Sequence, residues 1–198
     1  RGLNADLDAL KEKRYDYFRN LPPCKSDDPD LQRLYYKAAS VNKVNVFSPQ
    51  GTIPCTWTTP DRVPHKRMWL WDSVFHAIGF LEYNKELAKD AVWAVLSQQW
   101  EDGFIPLMIS PVDFSDVTQP PLLGWGVWEI YKATGDKEFL KKCAPRIKGY
   151  LQWDIDNRDA NGNKLLEWKI SEYEECRSGE SGMDNSPRFA LAVTMDAV

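Results

Sequence analysis

Apolar residues recur at helical spacing along most of this 198-residue chain. Residues 4–19 carry apolar side chains at steps of three to five, and residues 30–42 repeat the pattern after a polar capping stretch. Further helices are predicted at about 73–83 and about 85–100, and the second of these has a single apolar stripe. The pattern predicts an all-α fold.

The second half of the chain continues the helical pattern between turn-rich segments. A helix is predicted to open at residues 119–121, "QPP", and to end at Gly135, because glycine favours the position after a helix C-terminus. The next helix is predicted over about 137–155, with Pro145 splitting it. A last helix is predicted to begin near residue 187.

Between residues 45 and 70 the helical period breaks, because prolines and glycines exclude a long helix and "GTIPCTWTT" is typical of short extended pieces. Three polar or aromatic-rich loops, "WLWDS", "DVTQPP" and "ESGMDNSP", each precede a predicted helix. They lie 47 residues apart from Asp72 to Gln119 and 65 from Gln119 to Asp184. This irregular spacing favours paired inner and outer helices over a strict repeat. If the inner helices run parallel around a ring, the three loops gather at one mouth.

The composition narrows the classes of function. A formal net charge of −4 argues against a nucleic-acid binder, which usually shows a basic face. Nine Trp, eight Tyr and eight Phe fit either a large core or a sugar-binding cleft. No stretch approaches about 18 consecutive apolar residues, so no membrane span is predicted. The apolar run up to Val198 is typical of an unfinished helix, and we expect the sequence to be a piece of a longer protein.

Four blocks of sequence follow one another after residue 45: "TPDRVPHKRMWLWDSVFHAIG", "DGFIPLMISP", "TQPPLLGWGVWEIY" and "ESGMDNSPRF". Together they resemble glycoside hydrolase family 63, which includes processing α-glucosidases and mannosylglycerate or glucosylglycerate hydrolases, and more distantly the trehalases. The resemblance covers about residues 45–198. It implies an (α/α)6 toroid of the glycosidase type, of which residues 1–198 form the N-terminal portion, or half, of one catalytic domain. It also implies an inverting hydrolase of an α-glucosyl or α-mannosyl oligosaccharide or small glycoside.

In the family, the Asp of the Ser-Gly-x-Asp block is the general acid, and Asp184 matches it. Such a carboxyl must be protonated near neutral pH, which burial beside aromatic rings favours. The alternative for Asp184 is a helix N-cap ahead of Ser186 and Pro187. The family's general base comes from later helices, and no motif here matches it. The resemblance therefore implies that this chain carries the acid half of the site and needs the remaining half of the catalytic domain as its partner.

The other blocks supply candidate sugar contacts. In related enzymes the residues that match Trp71 and Asp72 hold sugar hydroxyls beside the cleaved bond, although the helix macrodipole alone also favours an acid at position 72. Gln119, whose amide can both donate and accept, is a further expected contact. The full set expected to bind substrate is Trp71, Asp72, Phe75, Gln119, Gly182 and Asn185.

Four residues near these blocks are expected to have structural roles. Trp125 and Trp128 are predicted to lie in the core, with the glycines beside them allowing neighbouring elements to approach closely. Glu129 is expected to be a solvated or hydrogen-bonded helix residue. Glu180 is expected to orient its loop rather than to react.

The polar loop "DANGNKLLE" is a candidate metal site. Oxygen ligands alternate along it as in a shortened calcium loop, and some members of the family bind calcium. The candidate ligands are Asp159, Asn161, Asn163, the carbonyl of Leu165 and Glu167. Lys164 stands where an EF-hand needs glycine, and the alternative is an Asn-Gly turn that closes a hairpin. No cofactor is required for the chemistry, so a bound Ca²⁺ is expected to be structural.

The four cysteines and two histidines show no zinc-ligand spacing, so a zinc site is not expected. The cysteines are compatible with buried thiols or with two disulfides.

The alternative function is a non-catalytic carbohydrate-binding or scaffold protein on the same helical toroid. Asp184 discriminates between the two, because a binding module has no need of a protonatable Asp there, although it could keep Trp71 and Gln119. A helical-repeat protein that binds peptides is disfavoured by the irregular loop spacing. A carbohydrate is the expected partner, and nucleic acid is not.

Overall fold

The computed structural model describes residues 6–169, 179–182 and 194–196. Within these ranges lie six helices: α1 (Leu7–Arg19), α2 (Pro29–Val44), α3 (Leu70–Leu81), α4 (Lys85–Leu96), α5 (Leu123–Thr134) and α6 (Lys137–Asn157). The strands are two or three residues long and pair as β1 (Val46–Phe47) with β2 (Trp57–Thr58), β3 (Met68–Trp69) with β4 (Met108–Ile109), and β5 (Glu167–Lys169) with β6 (Thr194–Asp196). None of these helices is long and apolar enough to cross a lipid bilayer. The fold is all-α, as predicted.

The chain divides into two compact units, residues 1–44 and 45–198. In the first unit, Arg14 of α1 donates to the hydroxyl of Ser40 on α2 at 3.2 Å. In the second unit the remaining four helices form the core. The assignment of residues 1–198 to a single domain stays a prediction.

Helices α3 to α6 pack together. Helix α3 packs against α4 and α5, α4 also packs against α5 and α6, and α5 packs against α6. Gly126 allows α3 and α5 to approach closely, because a β-carbon there would stand 2.9 Å from Cγ1 of Val74. The core includes Val74, Ala77, Phe80, Ala91, Val92, Val95, Val127, Ile130 and Cys143. The pairing of inner and outer helices that the loop spacing favours stays a prediction.

Side chains and one glycine define the ends of these helices. The Asn84 side chain accepts the N–H of Leu87 at 3.0 Å and starts α4. Helix α5 ends at Gly135, which has a φ of 70° and confirms the predicted helix end. Asp136 follows at once and accepts the N–H of Phe139, which starts α6.

Helix α6 runs unbroken past Pro145, so the prediction that this proline splits it is wrong. Proline removes one backbone N–H, which deprives the carbonyl of Lys141 of its helical donor. Both residues are exposed, so water can take the place of that donor. The buried side chains of Cys143 and Tyr150, on either side of the proline, keep both parts of the helix packed on the core.

The loops that precede α3 and α5 meet at one end of the second unit. Strands β3 and β4 run antiparallel, with Trp69 opposite Met108. The N–H of Leu70 donates to the carbonyl of Leu107 at 2.9 Å, and the N–H of Leu107 donates to the carbonyl of Val117 at 2.7 Å. These bonds hold the start of α3 beside the segment that carries Gln119.

Three of the cysteines, Cys24, Cys55 and Cys143, are free thiols, and Cys176 lies outside the described residues. Within the second unit, Cys55 and Cys143 are therefore not bonded to each other, and the two-disulfide alternative stays open. Burial raises the pKa of Cys55 to about 11 and that of Cys143 to about 12, so both thiols stay protonated at neutral pH.

Candidate active site

The start of α3 is bonded to the segment before α5 through Gln119. The N–H of Trp71 donates to Oε1 of Gln119 at 2.9 Å. The first N–H groups of a helix have no intrahelical partner, so this amide satisfies one of them. Because a backbone N–H can only donate, the oxygen of the Gln119 amide faces the helix start, and its nitrogen lies on the other side of the amide group. Gln119 is only 4% exposed, so its position is fixed by packing as well.

Gly182 brings the third loop onto the first. A β-carbon at position 182 would stand 1.8 Å from Cη2 of Trp71, so the glycine α-carbon lies directly against the indole ring. The φ of Gly182 is +68°, which a residue with a side chain rarely adopts. Position 182 therefore requires glycine for two separate reasons.

Glu180 anchors the same loop in the protein. Its side chain is 3% exposed and accepts the N–H of Thr118 at 3.0 Å and Nη2 of Arg158 at 2.8 Å. The backbone N–H of Lys169 donates to its other oxygen. One carboxylate thus joins four segments: its own loop, the segment before α5, the C-terminal end of α6, and β5. This is the orienting role that the sequence predicts for Glu180.

These contacts form a closed ring. Trp71 is bonded to Gln119, the adjacent Thr118 is bonded to Glu180, and two residues later Gly182 returns to the Trp71 ring. The first two loops and the described part of the third, residues 180–182, therefore meet at one place, as the sequence predicts. Such a ring fixes each loop relative to the other two without a ligand.

A second set of buried polar residues lies on α6, next to this ring of contacts. The hydroxyl of Tyr150 donates to the carbonyl of Gln119 at 2.5 Å and accepts a hydrogen bond from the hydroxyl of Thr118. Burial raises the pKa of Tyr150 well above its ordinary value, so it stays a neutral donor. Asp154 follows one turn later and is 3% exposed. Its Oδ2 is buried and has no hydrogen-bond partner among the described residues.

Sequence reasoning missed Tyr150, Asp154 and Arg158. They follow one another at intervals of four, which places them on one face of α6. Polar residues repeating at helical spacing on a buried face are a detectable signal, because such groups need partners from elsewhere in the fold. Their partners come from the segments that hold Gln119 and Glu180.

A row of aromatic side chains begins at Trp71 and continues along α3 to α5. The centroids of Trp71 and Phe75 are 6.4 Å apart, and those of Phe75 and Trp125 are 6.2 Å apart. Phe75 is 50% exposed and Trp125 43% exposed, so these rings offer an open aromatic surface. Exposed rings of this kind can stack on the C–H faces of a sugar.

The prediction that Trp125 and Trp128 lie in the core is wrong, since 43% and 50% of their surfaces are exposed. The buried stripe of α5 is formed by Leu123, Val127 and Ile130, and at 3.6 residues per turn both tryptophans fall outside it. Trp125 instead donates its indole N–H to Glu129 at 2.9 Å. Glu129 is hydrogen-bonded, as expected, and its hydrogen bond with Lys132 lowers its pKa.

The remaining predicted site residues divide into two groups. Asp72 is half-buried in the first turn of α3, where the helix macrodipole also favours a carboxylate. Asp184 and Asn185 lie outside the described residues. Of the helix predicted from near residue 187, only residues 194–196 are described; they form strand β6, paired with β5, so the prediction of a helix is wrong there. The structure brings together Trp71, Gln119 and Gly182, with Phe75 beside Trp71. The roles of all these residues toward substrate stay predictions.

The candidate calcium loop follows α6. The side chain of Asp159 accepts the N–H of Lys164 at 3.1 Å, and that of Asn163 accepts the N–H of Leu165 at 2.8 Å. The Asn161-Gly162 turn joins α6 to β5, so it does not close a hairpin.

Within the described ranges, no three His, Cys, Asp or Glu side chains are grouped as a metal site. The proposed set also relies on two Asn side chains and one backbone carbonyl, so calcium binding stays a prediction.

A family model for the mannosylglycerate hydrolase MGH1-like glycoside hydrolase domain matches residues 64–197. The chain belongs to this family, within glycoside hydrolase family 63. The match begins inside the first sequence block and includes the other three. The family predicted from those blocks is confirmed.

Curated relatives are similar over most of this chain. Mannosylglycerate hydrolase MGH1 of Selaginella moellendorffii is 25% identical in an alignment of 160 residues that covers 69% of this chain and 31% of that protein. The mannosylglycerate hydrolase of Rubrobacter radiotolerans is 25% identical in an alignment of 193 residues that covers 83% of this chain and 41% of that protein. The glucosylglycerate hydrolase of Mycolicibacterium hassiacum is 28% identical in an alignment of 171 residues that covers 69% of this chain and 37% of that protein. The chain thus spans less than half the length of these relatives.

A solved structure shows the same fold. The family 63 mannosylglycerate hydrolase of Thermus thermophilus, in complex with Tris and D-glycerate, superposes with a TM-score of 0.66 at 25% identity. The match covers 79% of this chain and 40% of that one. The predicted fold class is confirmed, and the six helices are consistent with half of an (α/α)6 toroid.

Proposed function

We propose that this chain carries the general-acid half of an inverting α-glycoside hydrolase. The observation that carries the proposal is the contact of Gly182 with Trp71, closed into a ring by Glu180 and Gln119. Asp184 is two residues from Gly182, and two residues of chain reach at most about 7 Å. The ring therefore supports a carboxyl close to an indole ring at the meeting point of three loops.

In the proposed reaction Asp184 donates its proton to the glycosidic oxygen as the bond to the leaving group breaks. A carboxyl in this role must be protonated near neutral pH, which an aromatic, poorly solvated setting favours. The indole of Trp71 supplies part of such a setting. The well-anchored Glu180 keeps the loop in place, so that the proton is transferred from a fixed position.

We further propose a binding subsite for the sugar whose glycosidic bond is cleaved. This sugar lies on the aromatic surface at the start of α3. Trp71 and Phe75 offer ring faces, while Asp72 and the Gln119 amide nitrogen offer hydrogen bonds to hydroxyl groups. Gly182 and Asn185 complete the subsite, with Gly182 placing its loop against the Trp71 ring. The relatives named above support a small α-mannosyl or α-glucosyl glycoside, with mannosylglycerate and glucosylglycerate as the first candidates.

An inverting hydrolase needs a second carboxylate to activate water, about 6.5–9.5 Å from the acid. We propose that the remaining half of the catalytic domain supplies this base, because no motif in the present sequence matches the family's base. The 198 residues alone are then expected to bind sugar weakly and to hydrolyse nothing.

The proposal is tested by comparing the full-length protein with its Asp184→Asn variant on a panel of α-mannosides, α-glucosides and trehalose. We expect the variant to lose at least about a hundredfold in kcat on glycosides with poor leaving groups, the scale of a lost general acid. Asp156→Asn, which removes an exposed carboxylate from the end of α6, is the matched control and should keep full activity. Equal activity of Asp184→Asn and wild type would remove Asp184 from the role of acid. Sugar binding without hydrolysis in the wild type would favour the non-catalytic alternative.

A further inference from the structure

Two buried carboxyl groups share a single guanidinium group behind the proposed site. Asp154 and Glu180 are each 3% exposed, and the Arg158 side chain is 12% exposed. Arg158 lies one turn after Asp154 on α6, where residues four apart are neighbours. Its guanidinium nevertheless bonds to Glu180, at 2.8 Å from Nη2 and 3.3 Å from Nε.

The hydrogen bonds are distributed unequally between the two carboxyl groups. Glu180 accepts N–H groups from Thr118, Lys169 and Arg158. Asp154 has a buried oxygen without a partner in the described part of the chain. An ionised carboxylate in that position would be costly, whereas a protonated carboxyl is tolerated. Because Glu180 holds the guanidinium and Asp154 has the unpartnered oxygen, this pattern assigns the proton to Asp154.

The surroundings of Asp154 agree with this assignment. It lines a cavity of about 270 Å³ whose other charged residues are Arg158 of the same helix, Glu167 of β5 and Glu180. Tyr150, one turn earlier on α6, is neutral, and the ammonium of Lys169 is paired with Asp116 at 3.2 Å. Burial raises the pKa of Asp154 to about 7; the negative charge of Glu180 raises it too, and Arg158 opposes the shift.

We propose that Asp154 is a positioning residue, and that its proton keeps Arg158 on Glu180. While Asp154 is neutral, Arg158 holds Glu180, and Glu180 holds both the Gly182 loop and the segment of Thr118 and Gln119. When Asp154 ionises, it competes for the guanidinium and loosens the ring of contacts. The consequence for catalysis rests on the function proposed above, whereas the protonation of Asp154 does not.

The protonation is measured by urea unfolding of the full-length protein and its Asp154→Asn variant across the pH range from 4 to 8. A raised pKa means that the native protein holds a proton that the unfolded chain releases, so wild type loses stability relative to the variant as pH rises from about 4 to about 7. The ratio of their unfolding constants should change by up to about a thousandfold across this range and stay constant above it. If Asp154→Asn does not fold, Asp154→Ser is used in its place. Asp156→Asn is the control for both.

The positioning role is measured by the pH dependence of kcat/KM on the best glycoside of the panel. In the wild type, log kcat/KM should fall with rising pH at a slope approaching two per pH unit, because both the acid and Asp154 must stay protonated. Asp154→Asn should keep its activity at pH 6 and show a slope of one. The proposal would be overturned if Asp154→Asn had the same pH dependence of stability as the wild type and the same fall of kcat/KM at high pH. A shifted unfolding profile in a protein without glycosidase activity would support the protonation of Asp154 and contradict the proposed function instead.

Discussion

Gly182 and Trp71 are in direct contact, with the glycine against the Cη2 edge of the indole ring. The two residues come from loops more than a hundred positions apart in the sequence. Their contact joins the start of α3 to the loop that carries Asp184. Any atom added at position 182 must therefore displace one of the two loops.

Gly182→Ala should impair activity more than it impairs stability. The β-carbon would stand 1.8 Å from Cη2 of Trp71, so the loop must move by an ångström or more, which costs about a hundredfold in kcat/KM. The matched control is Gly135→Ala, since Gly135 has nearly the same φ, at +70°, but nothing within 4 Å of the added carbon. Both variants carry a similar backbone strain of about 1 kcal/mol. A difference in kcat/KM between them therefore reports the contact with Trp71. Equal kcat/KM for the two variants would show that the contact with Trp71 is irrelevant to the site.

Glu180→Gln should destabilise the protein by about 3 kcal/mol, because it leaves the buried guanidinium of Arg158 without its carboxylate. The comparison is Glu138→Gln, which breaks an ion pair with Lys141 whose side chains are 83% and 73% exposed. That control should show no measurable change, since exposed pairs contribute little. Urea unfolding of both variants measures the difference. Similar unfolding midpoints would contradict the anchoring role given to Glu180.

The sequence predicted the bounds of α3 to α6 to within about four residues, because their apolar stripes are regular and Asn84, Gly135 and Asp136 provide local end signals. It was wrong about Pro145 because the cost of one missing hydrogen bond was outweighed by buried contacts on both sides. It missed Asp154 and Arg158 because their partners are distant in the sequence. Local patterns predict local structure, whereas buried polar networks depend on which segments meet.

His76 should make the protein less stable in acid. Its Nδ1 is 2.9 Å from the hydroxyl of Thr58, and burial lowers its pKa to about 4. A lowered pKa means that the unfolded chain binds a proton that the native protein refuses, so stability falls as pH decreases from about 6.5 to about 4, by at most about 3 kcal/mol. His76→Gln should remove this loss in urea unfolding. Lowering the pH has the opposite effect through Asp154, which stabilises the native protein as it takes up its proton. Asp154→Asn lacks this gain, so its stability should fall more steeply in acid than that of the wild type. An unchanged acid profile in His76→Gln would contradict the burial of a neutral imidazole.

Calcium binding to the loop at 159–167 is tested by thermal unfolding. If the oxygen ligands bind Ca²⁺, millimolar calcium should raise Tm, magnesium should have less effect, and a chelator should reverse the shift. Asp159→Asn should abolish the response without changing Tm in the presence of chelator by more than a few degrees. Identical melting curves with calcium and with chelator would show that the loop is held by its own turn hydrogen bonds, such as that between Asp159 and Lys164.

The most direct test of the central claim compares the loss of activity in Asp184→Asn on two α-glycosides of the same sugar, one with an activated leaving group and one with a poor one. A general acid matters most where the leaving group needs a proton. We predict that kcat of the full-length variant falls at least about a hundredfold on the poor leaving group and far less on the activated one. Equal losses on both substrates would contradict the assignment of Asp184 as the acid and leave it as a residue that only binds or positions the sugar.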